Sequence, residues 1–327
     1  MSKAEVEQLR RSIVKQLNCR ISNMDSNILT KYNTGSDWSL KFDNKGKPIA
    51  DYLSAMFGIN DDNWYNKFIE ATTGSGNEGN RILTLHSSAL LALLTFGNIS
   101  QDNPVVIRGE KYVESWFEVR NVVIPGRSPS SIDVLLRAES GNLLFLESKF
   151  TEYLTASGAN IVSAYKPFYE RLLPLIPNMP LQIVYPKKFQ DNKTEVIGFG
   201  LKPTSARKEL NGLYLYGIKQ CISHLIGIAN GPAVGDFSEW DRNIKGKTLR
   251  FGTILYKFNY PQFQIYKEFY KETIGQITPE MISASMAEQS GPYVSQIYVC
   301  PEIMTYQEII QNSDFKLPLK VNQFYNL

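Results

Sequence analysis

A mixed α/β sheet flanked by helices is the fold class this chain predicts, and two observations carry it. Residues 112–124, 131–138 and 142–150 form three strand-like stretches in quick succession, with helical periodicity before and after them. The last two are joined only by Glu139-Ser-Gly-Asn142, a hairpin connection with glycine at the turn. Helix, three strands, helix and strand make an αβββαβ order, with an antiparallel hairpin set into a mixed sheet.

The elements follow in chain order. Residues 5–17, 49–56 and 62–70 place apolar side chains at helical spacing between polar turns, so 1–76 is expected to be a helical N-terminal region. The loop Gly74-Ser-Gly-Asn-Glu-Gly79 lacks the lysine and Ser/Thr of a phosphate-binding P-loop and follows no strand. It reads as a turn before a long, mostly apolar helix over 79–96. A helix over 158–173 is stopped by Pro174 and Pro177, and a short strand is expected over 181–185. A helix over 210–229 has the apolar stripe Leu215, Ile218, Ile222, Leu225 and Ala229, and a strand returns over 248–258. The core is therefore drawn at 77–260, with 261–327 as a C-terminal extension packed on it.

Composition narrows the function. The 327 residues include 43% hydrophobic and 20% charged ones, as in an ordinary globular protein. Thirty-five basic against 32 acidic side chains leave a net charge of +3, which permits a polyanionic partner without requiring one. The longest apolar run, 88–97, is about half a membrane span, and the charged, helix-like N-terminus lacks a signal-peptide apolar stretch. A cytoplasmic protein with no membrane partner is the expectation. Three cysteines without CxxC spacing exclude a disulfide framework and a zinc finger, and two histidines without a GxSxG elbow leave little room for a serine triad. Chemistry is expected to run on carboxylates and lysine.

The pattern acidic-x-Lys occurs at Asp43, Glu147, Asp191 and Asp314, and context separates them. The other three lie in polar or chain-end surroundings. Glu147-Ser-Lys149 instead ends the apolar run Leu143-Leu-Phe-Leu146, which has the composition of a buried strand. Side chains alternate along a strand, so Glu147 and Lys149 share a face with Leu143 and Phe145. Asp133 is the one carboxylate in the preceding apolar strand, and the hairpin brings it to the same sheet end as Glu147. Two hard oxygen ligands suit Mg²⁺, and an adjacent ammonium can orient a water and offset phosphoryl charge. Because the carboxylates are two adjacent like charges, Glu147→Ala is expected to raise or preserve stability in the absence of metal, while Lys149→Ala is expected to abolish cleavage and leave thermal stability nearly intact.

This arrangement resembles the PD-(D/E)XK nuclease superfamily, in which an aspartate on one strand precedes Glu/Asp-x-Lys on the next within a restriction-endonuclease-like αβββαβ core. The match is Asp133 followed by Glu147-Ser-Lys149, over roughly 78–260; Ile132 stands where the name-giving proline would be. The text around His86-Ser-Ser-Ala-Leu-Leu, Leu146–Tyr153 and Gln220-x-x-x-His224 looks like a group of bacterial restriction-endonuclease-like proteins. The resemblance implies a metal-dependent nuclease of restriction, defence or repair type, with Mg²⁺ (or Mn²⁺) as cofactor. It implies Asp133, Glu147 and the backbone carbonyl of Ser148 as metal ligands and Lys149 as the residue that positions the attacking water. Glu78 is a further acid the resemblance allows at the metal, with Glu118 competing for that role. The implied partner is nucleic acid, double-stranded DNA first, and restriction-type cutting of both strands leaves a homodimer open. The alternative reading is a catalytically inactive nucleic-acid-binding or scaffold protein that kept the core as a buried ion-pair cluster.

Gln220 and His224, four apart on one helical face, are candidates for contact with a phosphate or a metal-bound water, against an anchoring role between helix and sheet. His86 reads as a packing histidine. The aromatic and basic stretch 250–267 could stack single strands, although core packing explains such a stretch more often. Lys187-Lys188, Arg207-Lys208, Lys245, Lys247 and Arg250 are the candidate phosphate contacts.

Overall fold

A computed structural model describes residues 3–22, 29–31, 40–73, 81–155, 157–184, 197–233, 240, 244–286 and 291–327. The N-terminal region holds helix α1 (Lys3–Ser22), strands β1 (Leu29–Lys31) and β2 (Leu40–Phe42), and helices α2 (Ile49–Phe57) and α3 (Trp64–Thr72). It is not purely helical as expected, because β1 and β2 pair antiparallel. Phe42 is fully buried between Phe57 and Phe324, and its amide donates to Leu83 O, which fastens this region to the rest.

Next come α4 (Ser88–Phe96), β3 (Val105–Ile107), β4 (Glu110–Asn121), β5 (Ser130–Ala138) and β6 (Leu143–Lys149). The helix expected over 79–96 begins only at Ser88 among the described residues. Residues 81–87 turn back on themselves instead, with Thr84 bridging to Lys41, and the Ser87 hydroxyl accepts the Leu90 amide as a cap. Glycine is required at the β5–β6 turn, where Gly141 has φ of +84°. Beyond β6 lie β7 (Asn160–Ile161), α5 (Lys166–Leu172), β8 (Leu181–Val184) and β9 (Ile197–Leu201). The helix expected from 158 is thus shorter, and β8 joins β7 and β9 in a separate small sheet. Helix α6 (Leu215–Asn230) and strand β10 (Leu249–Leu255) follow, and β10 returns to the central sheet beside β6.

The C-terminal segment contributes α7 (Pro261–Glu272), α8 (Pro279–Met286), β11 (Ile297–Val299), β12 (Met304–Thr305), α9 (Tyr306–Gln311) and α10 (Leu319–Tyr325). It does more than pack on the core, since β11 and β12 both pair parallel with β10 and extend the central sheet. That mixed sheet runs β11-β10-β6-β5-β4-β3, antiparallel from β3 to β6 and parallel from β6 onward. A strand with parallel and antiparallel neighbours and a helix on each face is enclosed along its length, and all seven residues of β6 are buried, Glu147, Ser148 and Lys149 included. Helix α4 covers the Ser148 face, where Ser148 Oγ reaches Ser88 O and Tyr306 Oη. Helix α6 covers the Glu147 face, where Cys221 Sγ lies 3.5 Å from Thr253 Oγ1. No helix among the described residues is long and apolar enough to cross a membrane.

Candidate functional site

The site grows from the end of the β5–β6 ladder. Cα partners run from Arg137↔Leu143 to Val134↔Leu146 and stop there. One step further along the same register, Asp133 stands opposite Glu147, and directly opposed residues of an antiparallel pair project to the same face. In place of continued ladder pairing, the Ser148 amide donates to Asp133 Oδ2 at 2.6 Å. A residue's amide and carbonyl point to the same side of a strand, so the Ser148 carbonyl is also directed toward β5. The neighbouring Lys149 carbonyl goes the other way and accepts the Tyr256 amide.

Lys149 lies with the two carboxylates. Its Nζ donates to Glu147 Oε1 and is 3.9 Å from Asp133 Oδ2. The other Glu147 oxygen, Oε2, is 2.7 Å from His224 Nε2 on α6, an ion-pair contact without the alignment of a hydrogen bond. The far ring nitrogen, His224 Nδ1, is 2.5 Å from Ser130 Oγ. Glu147 is 1% exposed, while Asp133 keeps 18% side-chain exposure and forms part of a cavity wall. Asp133, Glu147, Lys149 and His224 are thus brought together as expected. Gln220, one helical turn before His224, lines the same cavity with its Oε1 unpartnered among the described residues.

The charges are unequally settled. Burial by itself would raise the Glu147 carboxyl, but Lys149 and His224 overcome it and hold the group down at about 2. Asp133 goes the opposite way: burial first, then the Glu147 charge opposite, push its carboxyl well above the usual range despite Lys149 and the Ser148 amide. Burial disfavours the Lys149 ammonium, yet Glu147 and Asp133 more than compensate and hold it charged well above its usual range. Asp133 is therefore the carboxylate that the Lys149 ammonium, held against Glu147, does not keep ionised. Nearby Cys221 offers no thiolate, since burial pushes its thiol up to about 12.

Two hard carboxylates with a carbonyl directed to the same side fit Mg²⁺ or Mn²⁺, and the charge shortfall at Asp133 is what a cation would fill. Among the described residues there is no group of three His, Cys, Asp or Glu side chains arranged to hold a metal ion. The donors that could hold such an ion are Asp133, Glu147 and the Ser148 carbonyl. Glu78 lies outside the described residues. Its competitor Glu118 is placed: it continues the Asp133–Glu147 row onto β4, lines the cavity, and raises Asp133 further by its charge. Glu118 has φ of +49° inside a strand, a conformation that costs energy for any residue with a Cβ.

The cavity has a volume of about 450 Å³. Sequence reasoning missed Arg81, Glu152, Tyr165, Tyr214, Tyr216 and Lys219 on its wall. Only Lys219 had a legible signal, being next to Gln220 on the same helix. His86 lies outside the cavity lining, and burial lowers its pKa, as in a packing role.

Among the described residues, none of the expected phosphate contacts lines this cavity. Lys187 and Lys188 lie outside the described residues. Arg207 pairs with Glu209 and Glu272, and Arg250 with Glu110. Lys247 donates to Ser140 O at the hairpin turn, the opposite end of the sheet, about 13 Å along β6 from Glu147. Most aromatic residues of 250–267 are core: Phe251, Tyr256, Phe263 and Tyr266 are buried, and Phe258 and Tyr260 are half-buried against them. Comparison with protein-family models, curated proteins and solved structures finds no match to this chain.

Proposed function

We propose that this protein is a metal-dependent nuclease of the PD-(D/E)XK type, most simply a DNA endonuclease, hydrolysing phosphodiester bonds at the cavity floor. The observation that carries the reading is Asp133 opposite Glu147 with Lys149 between them, where a ladder ends and a cavity begins. Asp133, Glu147 and the Ser148 carbonyl would hold Mg²⁺ or Mn²⁺, which supplies phosphate charge neutralisation and a more acidic water. Lys149 is held by Glu147 so that its ammonium can orient that water and offset charge on the phosphoryl group. His224, itself fixed by Ser130, restrains the second Glu147 oxygen. Water adds to phosphorus as the bond to the leaving oxygen breaks. Duplex DNA is the substrate the resemblance implies, with a homodimer as its natural consequence for double-strand cutting.

The second reading, an inactive nucleic-acid-binding or scaffold protein, is favoured by one observation. Both Glu147 oxygens are already engaged, by Lys149 and His224, as in a closed ion-pair cluster. A plasmid-nicking assay in Mg²⁺, Mn²⁺ or EDTA separates the two. Cleavage that needs the ion and vanishes in Asp133→Asn and Lys149→Ala is the expected result. A wild-type protein that binds DNA but cleaves neither plasmid nor single strand sinks the catalytic reading.

A further inference from the structure

The cavity lining also includes three tyrosines with a lysine beside one of them. Tyr214 and Tyr216 meet with ring centroids 6.2 Å apart, and Tyr165 lines the same space. Tyr216 is 42% exposed, unusual for a large aromatic residue at the edge of a cavity. Lys219 Nζ lies 5.1 Å from the Tyr216 ring centroid, and no carboxylate among the described residues pairs with it. Its burial lowers its pKa, which an anion alongside would reverse.

The reacting groups are recessed: Glu147 is 1%, Lys149 6% and Asp133 18% exposed. A space of about 450 Å³ belongs to the small-ligand class of roughly 300–1,000 Å³. A duplex is stiff over about 150 base pairs and cannot bend locally into such a recess without distortion. An unpaired nucleotide can enter, and every base has a face to stack on a tyrosine.

On the nuclease reading above, we propose that the cavity takes an unpaired nucleotide, so that single-stranded DNA is the preferred substrate over intact duplex. The base lies against Tyr214 and Tyr216, a phosphate meets Lys219, and the adjoining phosphodiester reaches Lys149.

The test uses one labelled oligonucleotide, alone and annealed to its complement, with the full-length protein. Cleavage is read in Mn²⁺ and binding in Ca²⁺. The single strand should be cut at least about ten-fold faster than the duplex. Tyr216→Ala, at an exposed position that folding tolerates, should weaken single-strand binding about ten-fold, while Tyr216→Phe retains it. Duplex cut as fast as single strand, or Tyr216→Ala binding unchanged, overturns this inference and leaves the nuclease reading standing. Neither form cut or bound overturns both.

Discussion

The Ser148 amide donates to Asp133 Oδ2 at 2.6 Å, one position beyond the last Cα pair of their two strands. A side chain thereby takes the hydrogen bond that a neighbouring strand would otherwise receive. The same contact parts the strands and anchors the carboxylate that sits at the opening.

Asp133→Asn should stabilise the protein at neutral pH. The Asp133 carboxyl is raised well above 3.8 in the fold, so its contribution is fully present below 3.8 and is lost as pH rises through the folded value. Asparagine mimics the protonated form and can still accept the Ser148 amide. Thermal melts across pH should show a gain at pH 7 that disappears below about pH 4. A loss of stability at pH 7 would contradict the raised pKa.

Glu147→Ala should cost about 3 kcal/mol, because it strands the buried Lys149 ammonium. This reverses the expectation drawn from two adjacent like charges, which took no account of Lys149 and His224 as partners. In the wild type the Glu147 contribution is present above 4.5 and is lost as pH falls toward about 2. Denaturant titrations at pH 7 and pH 3 check both statements: the difference between variant and wild type should narrow at the lower pH.

Lys149→Ala should lower cleavage by at least about 100-fold, on the scale of a positioned proton-handling group. It should also destabilise, in contrast to the expectation of nearly intact stability, since Lys149 is buried against two carboxylates. Single-turnover rates and melts on the same preparation separate the two effects. Cleavage at the wild-type rate would remove Lys149 from the site.

Mg²⁺ should stabilise the folded chain by about 2.7 kcal/mol at a hundred times its dissociation constant. Asp133→Asn should abolish that gain, because the donor set loses a carboxylate. Differential scanning calorimetry with and without the ion reads it, and an equal shift in both proteins would place the metal elsewhere.

Salt should weaken single-strand binding only modestly. Arg81, Lys149 and Lys219 are the cations on the cavity wall, and three phosphate contacts give a slope of roughly −2 in log affinity against log salt. Fluorescence anisotropy at several salt concentrations measures it. A slope twice as steep would bring in the distant basic residues after all.

The strand row from Asp133 to Lys149 was legible because period-two alternation and a glycine turn are local signals. The same holds for the mixed α/β class, visible as changes of hydrophobic period. The cavity wall was not legible, because Tyr165, Tyr214 and Arg81 come from separate loops that nothing local brings to β6. The start of α4 was missed because 79–87 keeps an apolar composition while Ser87 caps a helix beginning at the next residue. Charge partners misled in the same way: Arg250 looked available until β4 brought Glu110 against it. Whether Glu147 stands unpaired or satisfied depended on α6, which no spacing rule ties to that strand.

Ser148 and Tyr306, whose hydroxyls are 2.6 Å apart, are separated by 158 residues of chain, and Ser130 and His224 by 94. Contacts across such spans form only after long loops have closed. A chain still emerging from the ribosome therefore carries Asp133, Glu147 and Lys149 on a finished hairpin with neither α6 nor α9 around them. The polar contacts that surround the carboxylates therefore depend on chain far downstream of the hairpin that carries them.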